Sequence, residues 1–381
     1  MRVAIDVSAI SFGLRTGTAV YAYRLAEALS SVPGVELRIL YNGHPGVGVE
    51  LAESLERPNA RLLCSCLRWH GFPWPLAQPP YPRPLLRELR AADLFHLGDL
   101  LFPEPRRGQA VVATVHDVTT ELFPQWHFWG NRLLHRRRLA WVRRHATRVI
   151  IPAEATRADT ASVLALPENR LDVVPEARGT VAPGRVGVED IRRHAGLGHE
   201  PYVLFVGKLE PRKNLVRLVE AFRRLPADLG PLGLVLAGSW GWRARALRMA
   251  LRQPQRPGRS VVVTGPLDGD SLAALYAGAT LFAYPSLYEG FGLPVLEAMG
   301  AGVPVLTSAS GACAEVAGDA ALLVDPGDAG AIAAGLERLL RSESQRRALA
   351  ERGARREREF TWERTALATA AVYRWALAEA S

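Results

Sequence analysis

The segment Leu281-Phe-Ala-Tyr-Pro285-Ser-Leu-Tyr-Glu289-Gly-Phe-Gly-Leu-Pro294-Val-Leu-Glu297-Ala-Met-Gly-Ala-Gly-Val-Pro304-Val-Leu-Thr307 carries the fold in its order of residue types. An apolar run, Leu281 to Tyr284, reads as a buried strand. A glycine-containing loop follows, then a helix from Pro294 to Ala301 and a second strand, Val303 to Thr307. Pro294 is placed at the first helical position, where a missing N–H costs little. The amides of Gly290, Phe291, Gly292 and Leu293, together with the positive helix end, make an anion site suited to phosphate. Glu289 lies before this helix and Glu297 one turn inside it. A carboxylate beside a phosphate is repelled unless it bonds neutral hydroxyls, which favours a nucleotide-sugar over a free nucleotide. An acidic first turn favourable to a helix dipole is the plainer reading of the same spacing.

Working outward, the second half repeats the alternation. Strands are expected at Tyr202–Val206, Leu232–Ala237 and Val261–Thr264. Helices are expected at Leu215–Leu225, Leu272–Tyr276, Ala329–Leu340, from Ser344 to about Arg358, and from about Trp362 to Ala380. The first half offers strands at Val3–Val7, Leu37–Tyr41, Leu94–Leu97, Val111–Val115 and Val149–Ile151, with a helix at Val20–Leu29. Strands alternating with helices imply parallel sheets covered on both faces. The fold class is therefore α/β, with two doubly wound domains facing across a cleft. Residues 1–185 form the first domain, 186–360 the second, and 361–381 a terminal helix. The Gly/Pro-containing stretch Gly179–Gly187 is read as the linker. The six prolines between Phe72 and Pro84 suit an ordered irregular loop.

The 381 residues carry a net charge of +9, and 48% of them are hydrophobic, as in a chain that buries a large core. Of the 47 basic residues only two are lysines, Lys208 and Lys213. No apolar stretch approaches the ~18 residues of a membrane span, and a cytoplasmic location is expected. Cys64, Cys66 and Cys313 have no zinc-type spacing and read as reduced thiols. No metal and no cofactor are expected.

Three further segments carry chemistry. Gly207-Lys208-Leu-Glu210-Pro211-Arg212-Lys213-Asn214 follows a strand, so a planar guanidinium and a mobile ammonium stand ready for two phosphates. His116 and Asp117 end a first-domain strand, where they can position a reacting sugar. Leu122 to Ala153 holds no acidic residue and seven arginines: Arg132, Arg136, Arg137, Arg138, Arg143, Arg144 and Arg148. Trp126, Phe128, Trp129 and Trp141 are interleaved with them. Such a segment can lie on an anionic membrane, contact nucleic-acid phosphates, or be a solvated helix face with its tryptophans in the core.

Gly207 to Asn214, Gly265 to Tyr276, Glu289 to Glu297 and Gly318 to Pro326 resemble, in order and spacing, the retaining glycosyltransferase family 4 of the GT-B fold. Thr16-Gly17-Thr-Ala-Val-Tyr21, Thr114 to Asp117 and Arg148 to Thr156 resemble that family's acceptor-domain motifs. The resemblance covers nearly the whole chain. It implies that Glu297 bonds the donor ribose and Glu289 the transferred sugar. Arg212 and Lys213 would hold the diphosphate, helped by the amides after Gly290 and by Gly17, with Lys208 as a third candidate. Pro266 and Leu267 would meet the base, His116 would touch the donor sugar, and the terminal helix would return to the first domain. The implied activity is transfer of a hexose from a GDP- or UDP-sugar, with retention and without a metal, to a glycan or lipid-linked acceptor. The start motif and the His-Asp pair look most like mannosyltransferases of surface polysaccharide assembly, which would sit peripherally at the inner membrane face.

Two departures from the family stand out. The chain reads Val173-Val-Pro-Glu176-Ala-Arg where relatives often have Asn-Gly, and position 208 is Lys rather than Thr or Arg. The alternatives are a sugar-nucleotide epimerase or a synthase with a soluble acceptor. From other classes come an arginine-rich nucleic-acid-binding protein and a dinucleotide oxidoreductase. The charge is spread over both halves, so no nucleic-acid partner is expected. No Gly-x-Gly-x-x-Gly follows a strand near either domain start.

Overall fold

The computed structural model describes residues 1–14, 16–43, 46–66, 82–98, 103–179, 186–194, 196–254 and 256–380. Most of the Phe72–Pro84 segment and most of the expected linker lie outside the described residues. The chain divides into two compact units. One comprises Met1–Pro124, Phe128–Ala177 and Thr361–Ser381, and the other Gln125–His127 and Arg178–Phe360. The break falls at Ala177/Arg178, whereas the sequence reading put it at 185/186.

The first unit is built on seven strands: β1 (Arg2–Asp6), β2 (Glu36–Gly43), β3 (Ala60–Cys66), β4 (Leu94–Leu97), β5 (Ala110–Thr114), β6 (Arg148–Ile151) and β7 (Leu171–Val173). They form one parallel sheet in the order β3-β2-β1-β4-β5-β6-β7. The strands read as continuous apolar runs because both faces are covered. Val3 and Ile5 of β1, with Val112 of β5, pack into one layer that includes Leu25, Ala366, Ala370 and Tyr373. Ala4, Val111 and Ala113 turn to the other layer, with Phe95, Leu139 and Trp141. The period of two thus sends alternate residues to opposite cores. The terminal helix Trp362–Ala380 packs on the helix Gly17–Leu29 and on β5, which places it in the first unit.

The second unit carries β8 (Tyr202–Val206), β9 (Leu232–Ala237), β10 (Arg259–Gly265), β11 (Leu281–Tyr284), β12 (Val305–Ser308) and β13 (Ala321–Val324). Their order is β10-β9-β8-β11-β12-β13, again all parallel. The order reverses between β8 and β11, which pair directly through Leu281 and Val203. Loops leaving the carboxyl ends of two such strands diverge to opposite sides and leave a crevice, the usual ligand position in an open α/β sheet. Gly238, just after β9, permits a close approach: a Cβ there would lie 2.0 Å from the Gly207 carbonyl oxygen.

Candidate active site

The two loops at that reversal build one cluster of charge. The β8 loop runs into a short 3-10 turn, Pro211–Lys213, ended by Asn214 at φ 61°. Asn214 is held there by donating from Nδ2 to the carbonyls of Pro285 (3.0 Å) and Pro326 (2.6 Å). The β11 loop is tied to the same turn, since Leu287 N donates to the Arg212 carbonyl at 2.9 Å and Ser286 Oγ to the same oxygen at 3.1 Å. This lacing brings together side chains 76 residues apart in sequence.

Lys213 Nζ donates to Glu289 Oε1 at 2.6 Å and to the Tyr284 hydroxyl at 2.6 Å. Arg212 pairs with the other Glu289 oxygen, and also donates to Glu210 and to the Tyr288 carbonyl. Ser286 Oγ adds a 2.5 Å bond to Glu289. The Lys213 and Glu289 side chains are each 8% exposed. Burial works to raise the Glu289 carboxyl, but the Arg212 and Lys213 charges and the Lys213 and Ser286 hydrogen bonds outweigh it, so its pKa is lowered. Burial, and next the Arg212 charge, push the Lys213 ammonium below its ordinary value. Two cations and two carboxylates leave the group of four side chains without net charge. An added anion would have to compete with Glu210 and Glu289 for these two cations.

That helix is Leu293–Gly300, with Gly292 as N-cap and Pro294 at its second position, one residue later than the sequence reading placed it. Gly292 has φ 123°, a conformation that favours glycine, and an added Cβ would meet Cys313 Sγ at 3.4 Å. Burial pushes the Cys313 thiol up to about 12, so it stays protonated. Gly290 and Phe291 are buried, and the Phe291 ring packs edge-on against Phe360 at 5.8 Å. Glu297, inside the helix, accepts from the Tyr276 hydroxyl at 3.0 Å. Burial raises its carboxyl pKa against the opposing pull of that hydrogen bond.

Lys208 takes a different position. Its ammonium lies over the Trp242 ring, 4.4 Å from the centroid, while Trp240 takes the Arg248 guanidinium at 3.9 Å. Pro266 and Leu267 line a cavity of about 380 Å³ together with Val186, Asp190, Ile191, Asp268 and Ser271. Asp268 caps the helix Gly269–Ala277, accepting from Ser271 N at 2.8 Å.

In the first unit, His116 stands two residues beyond β5. Its Nδ1 is 2.7 Å from Glu176 Oε1, and the Glu176 side chain is 4% exposed. The Tyr21 ring meets the imidazole edge-on at 4.7 Å. Asp117 starts the following turn, where its Oδ1 accepts from Thr119 N (3.0 Å) and Thr119 Oγ1 (2.6 Å). Gly17 opens the helix Gly17–Leu29 behind the Thr16 cap. Tyr284, Ser286 and Tyr276 are contacts that residue-by-residue reading of the sequence did not single out, and Glu176 stood out there only as a departure from the family motif.

The arginine-rich segment divides. Arg138 is buried and donates to the Thr114 carbonyl at 2.6 Å, and Trp141 is core, edge-on to Phe95. Arg148 belongs to β6 and pairs with Asp172 and Glu379. Arg138 and Trp141 lie on the inward face of the helix Trp129–His145, and Arg148 is neutralised by its two carboxylates, so none of the three adds to a basic surface. Phe128, Trp129, Arg136, Arg137, Arg143 and Arg144 are exposed. Among the described residues, no helix is long and apolar enough to cross a membrane, and no group of three or more His, Cys, Asp or Glu is placed to hold a metal.

Residues 15–177 match the family model described as Glycosyltransferase Family 4, and residues 188–356 match that described as Glycosyl transferases group 1. The chain belongs to glycosyltransferase family 4. This glycosyltransferase is 28% identical to the O-antigen chain mannosyltransferase B of Escherichia coli, over 98% of its own length and 100% of that chain. It is 29% identical to the MMP alpha-(1->4)-mannosyltransferase of Mycolicibacterium hassiacum, over 78% of its length and 76% of that protein. Among solved structures it resembles a sucrose-phosphate synthase from Thermosynechococcus elongatus, with TM-score 0.70, 23% identity and 99% of each chain covered, which shows the fold to be GT-B. Membership selects sugar transfer over the oxidoreductase class that a doubly wound chain also admits.

Proposed function

We propose that this glycosyltransferase moves mannose from a GDP-activated donor, with retention, onto a growing glycan or lipid-linked saccharide of the cell surface. The observation that carries the donor assignment is the Arg212–Lys213–Glu289 cluster, set where β8 and β11 diverge and beside the amino end of the helix Leu293–Gly300. The mannosyl part is supported by the names of the E. coli and M. hassiacum relatives.

In this reading Arg212 and Lys213 turn from Glu289 toward the diphosphate, with the amides after Gly290 and with Gly17. Glu289 is then released toward the hydroxyls of the transferred sugar. Glu297 holds the ribose, the Pro266–Leu267 cavity receives the base, and His116 meets the donor sugar, with Asp117 shaping its loop. Lys208 serves as an outer cation at the same loop. The leaving phosphate takes the acceptor's proton, so cations that stabilise its developing charge contribute most to the rate. No metal or cofactor enters this scheme.

Thermal unfolding with GDP-mannose, UDP-glucose and ADP-glucose tests the donor, since a ligand binding only the native state raises stability as its concentration exceeds Kd. The largest shift is expected with GDP-mannose, and no shift with any of them removes the reading. The anomeric configuration of the product, read by NMR, tests retention.

For the acceptor side, the exposed Phe128–Trp129 pair and Arg136, Arg137, Arg143 and Arg144 support docking to an anionic membrane at its inner face. Each cation near such a surface contributes about 1 kcal/mol. Salt-sensitive binding to vesicles containing phosphatidylglycerol is expected, and a Phe128→Ser/Trp129→Ser variant should lose it. Absence of binding at low ionic strength removes this part.

A further inference from the structure

Glu176 sits three residues beyond β7, two strands across the first sheet from β5, and its carboxylate is buried against the His116 ring. A carboxylate only accepts hydrogen bonds. At 2.7 Å, Glu176 Oε1 therefore requires a proton on His116 Nδ1, whatever the ring's charge. The neutral imidazole is then confined to one tautomer, with its lone pair on Nε2.

The ring is also fixed from a second side by a chain of neutral groups. The Tyr21 and His116 rings stand perpendicular to each other, 4.7 Å between centroids at 87°. The Tyr21 hydroxyl is 2.9 Å from Thr114 Oγ1, which is 2.9 Å from His96 Nε2. His96 Nδ1 is 2.6 Å from the Tyr373 hydroxyl on the terminal helix. Thr114, His96 and Tyr373 are each 2% exposed or less, so this chain is buried and each member is held by its neighbours' hydrogen bonds. Two independent elements, one acidic and one neutral, converge on a single half-buried imidazole.

We infer that Glu176 is a positioning residue for the transfer reaction: it holds His116 with the proton on Nδ1, so that Nε2 can accept a hydrogen bond from a hydroxyl of the sugar at the reaction centre. This rests on the reading that His116 meets the donor sugar. It adds a residue and a defined proton position to that reading.

Histidine-selective 15N NMR of the intact chain, with the His116 signal assigned through a His116→Gln variant, gives the tautomer without altering Glu176. An Nδ1–H signal is expected, and an Nε2–H tautomer at neutral pH overturns the inference. Glu176→Gln keeps the size of the side chain but lets an amide N–H face Nδ1. It is expected to lower kcat on the order of ten- to a hundredfold, by analogy with the loss of the partner that orients a metal-bound histidine. Donor KM should stay within about twofold, and the ring should show mixed tautomers. In a His116→Ala background the same substitution should change kcat no further, whereas a merely structural role would give additive losses. If His116→Ala is inactive while Glu176→Gln turns over normally, the inference fails and the site reading stands. If His116→Ala itself retains full activity, the site reading fails and the inference falls with it.

Discussion

The His116 site and the Glu289 site both form just beyond the carboxyl ends of central strands, yet they are built from opposite materials. Around Glu289 every strong contact involves charge: two cations and two carboxylates, three of them on one short turn and its neighbours. Around His116 a single carboxylate meets a relay of tyrosine, threonine and neutral histidine. An ionic cluster can exchange one anion for another at modest cost, because each partner stays paired throughout. A relay of neutral hydrogen bonds loses a partner with every displacement, and so holds one geometry. The contrast suits the roles proposed above, exchange of diphosphates at the Glu289 cluster and a fixed surface for uncharged hydroxyls at His116.

The contrast can be broken most forcefully at Glu289. Glu289→Ala strands the buried Lys213 ammonium, and a stability loss of about 3–5 kcal/mol is expected in urea unfolding at neutral pH. A loss below about 1 kcal/mol would mean that the cluster is solvated like a surface pair. Lys213→Ala should act the other way round. Arg212 then faces both Glu210 and Glu289 alone, so some stability is lost as well, but the main effect is on turnover, with kcat falling on the order of a hundred- to a thousandfold. Unchanged turnover would remove Lys213 from the donor site.

The neutral relay makes its own claim about pH. Burial, with the His116 charge second, pushes His96 down to about 3 from an ordinary 6.5. Between those values the unfolded chain binds a proton that the folded one refuses, so stability rises with pH through that window and levels off above it. Acidifying from pH 6.5 to 5 should therefore cost about 1.6 kcal/mol attributable to His96. Comparing urea unfolding of the wild type with His96→Gln at both pH values isolates the effect, and equal slopes would contradict it. The smallest effect is expected at Tyr276→Phe, which removes one hydrogen bond to Glu297. It should lower stability by about 1 kcal/mol and leave kcat near wild type.

Much of the fold was readable because doubly covered strands announce themselves. Tyr202–Val206, Leu232–Ala237, Leu281–Tyr284 and the helix Trp362–Ala380 have the bounds read from their apolar patterns. The strands that escaped notice lie at sheet edges: β3, interrupted by Arg61 and Ser65, β7, only three residues long, and β13, whose Leu323 is exposed. Edge strands bury less and so carry a weaker apolar signal. In the candidate site, Arg212, Lys213 and Glu289 could be named individually. Their mutual pairing depends on β8 lying beside β11, and no local spacing encodes that. Glu176 was visible only as a departure from a familiar motif, since its partner is 60 residues away. Composition alone also could not say that Arg138 faces inward, because the same helix exposes its neighbours Arg136 and Arg137.

One consequence concerns handling of the protein in the laboratory. Of the two lysines, Lys213 is buried and Lys208 is exposed against Trp242. An amine-reactive dye or coupling resin would therefore find one accessible side-chain ammonium, on the loop that leads into the Arg212–Lys213 turn. Lysine-directed chemistry on this chain would fall on that one side chain, and enzyme immobilised through it would be tethered by the loop that follows β8.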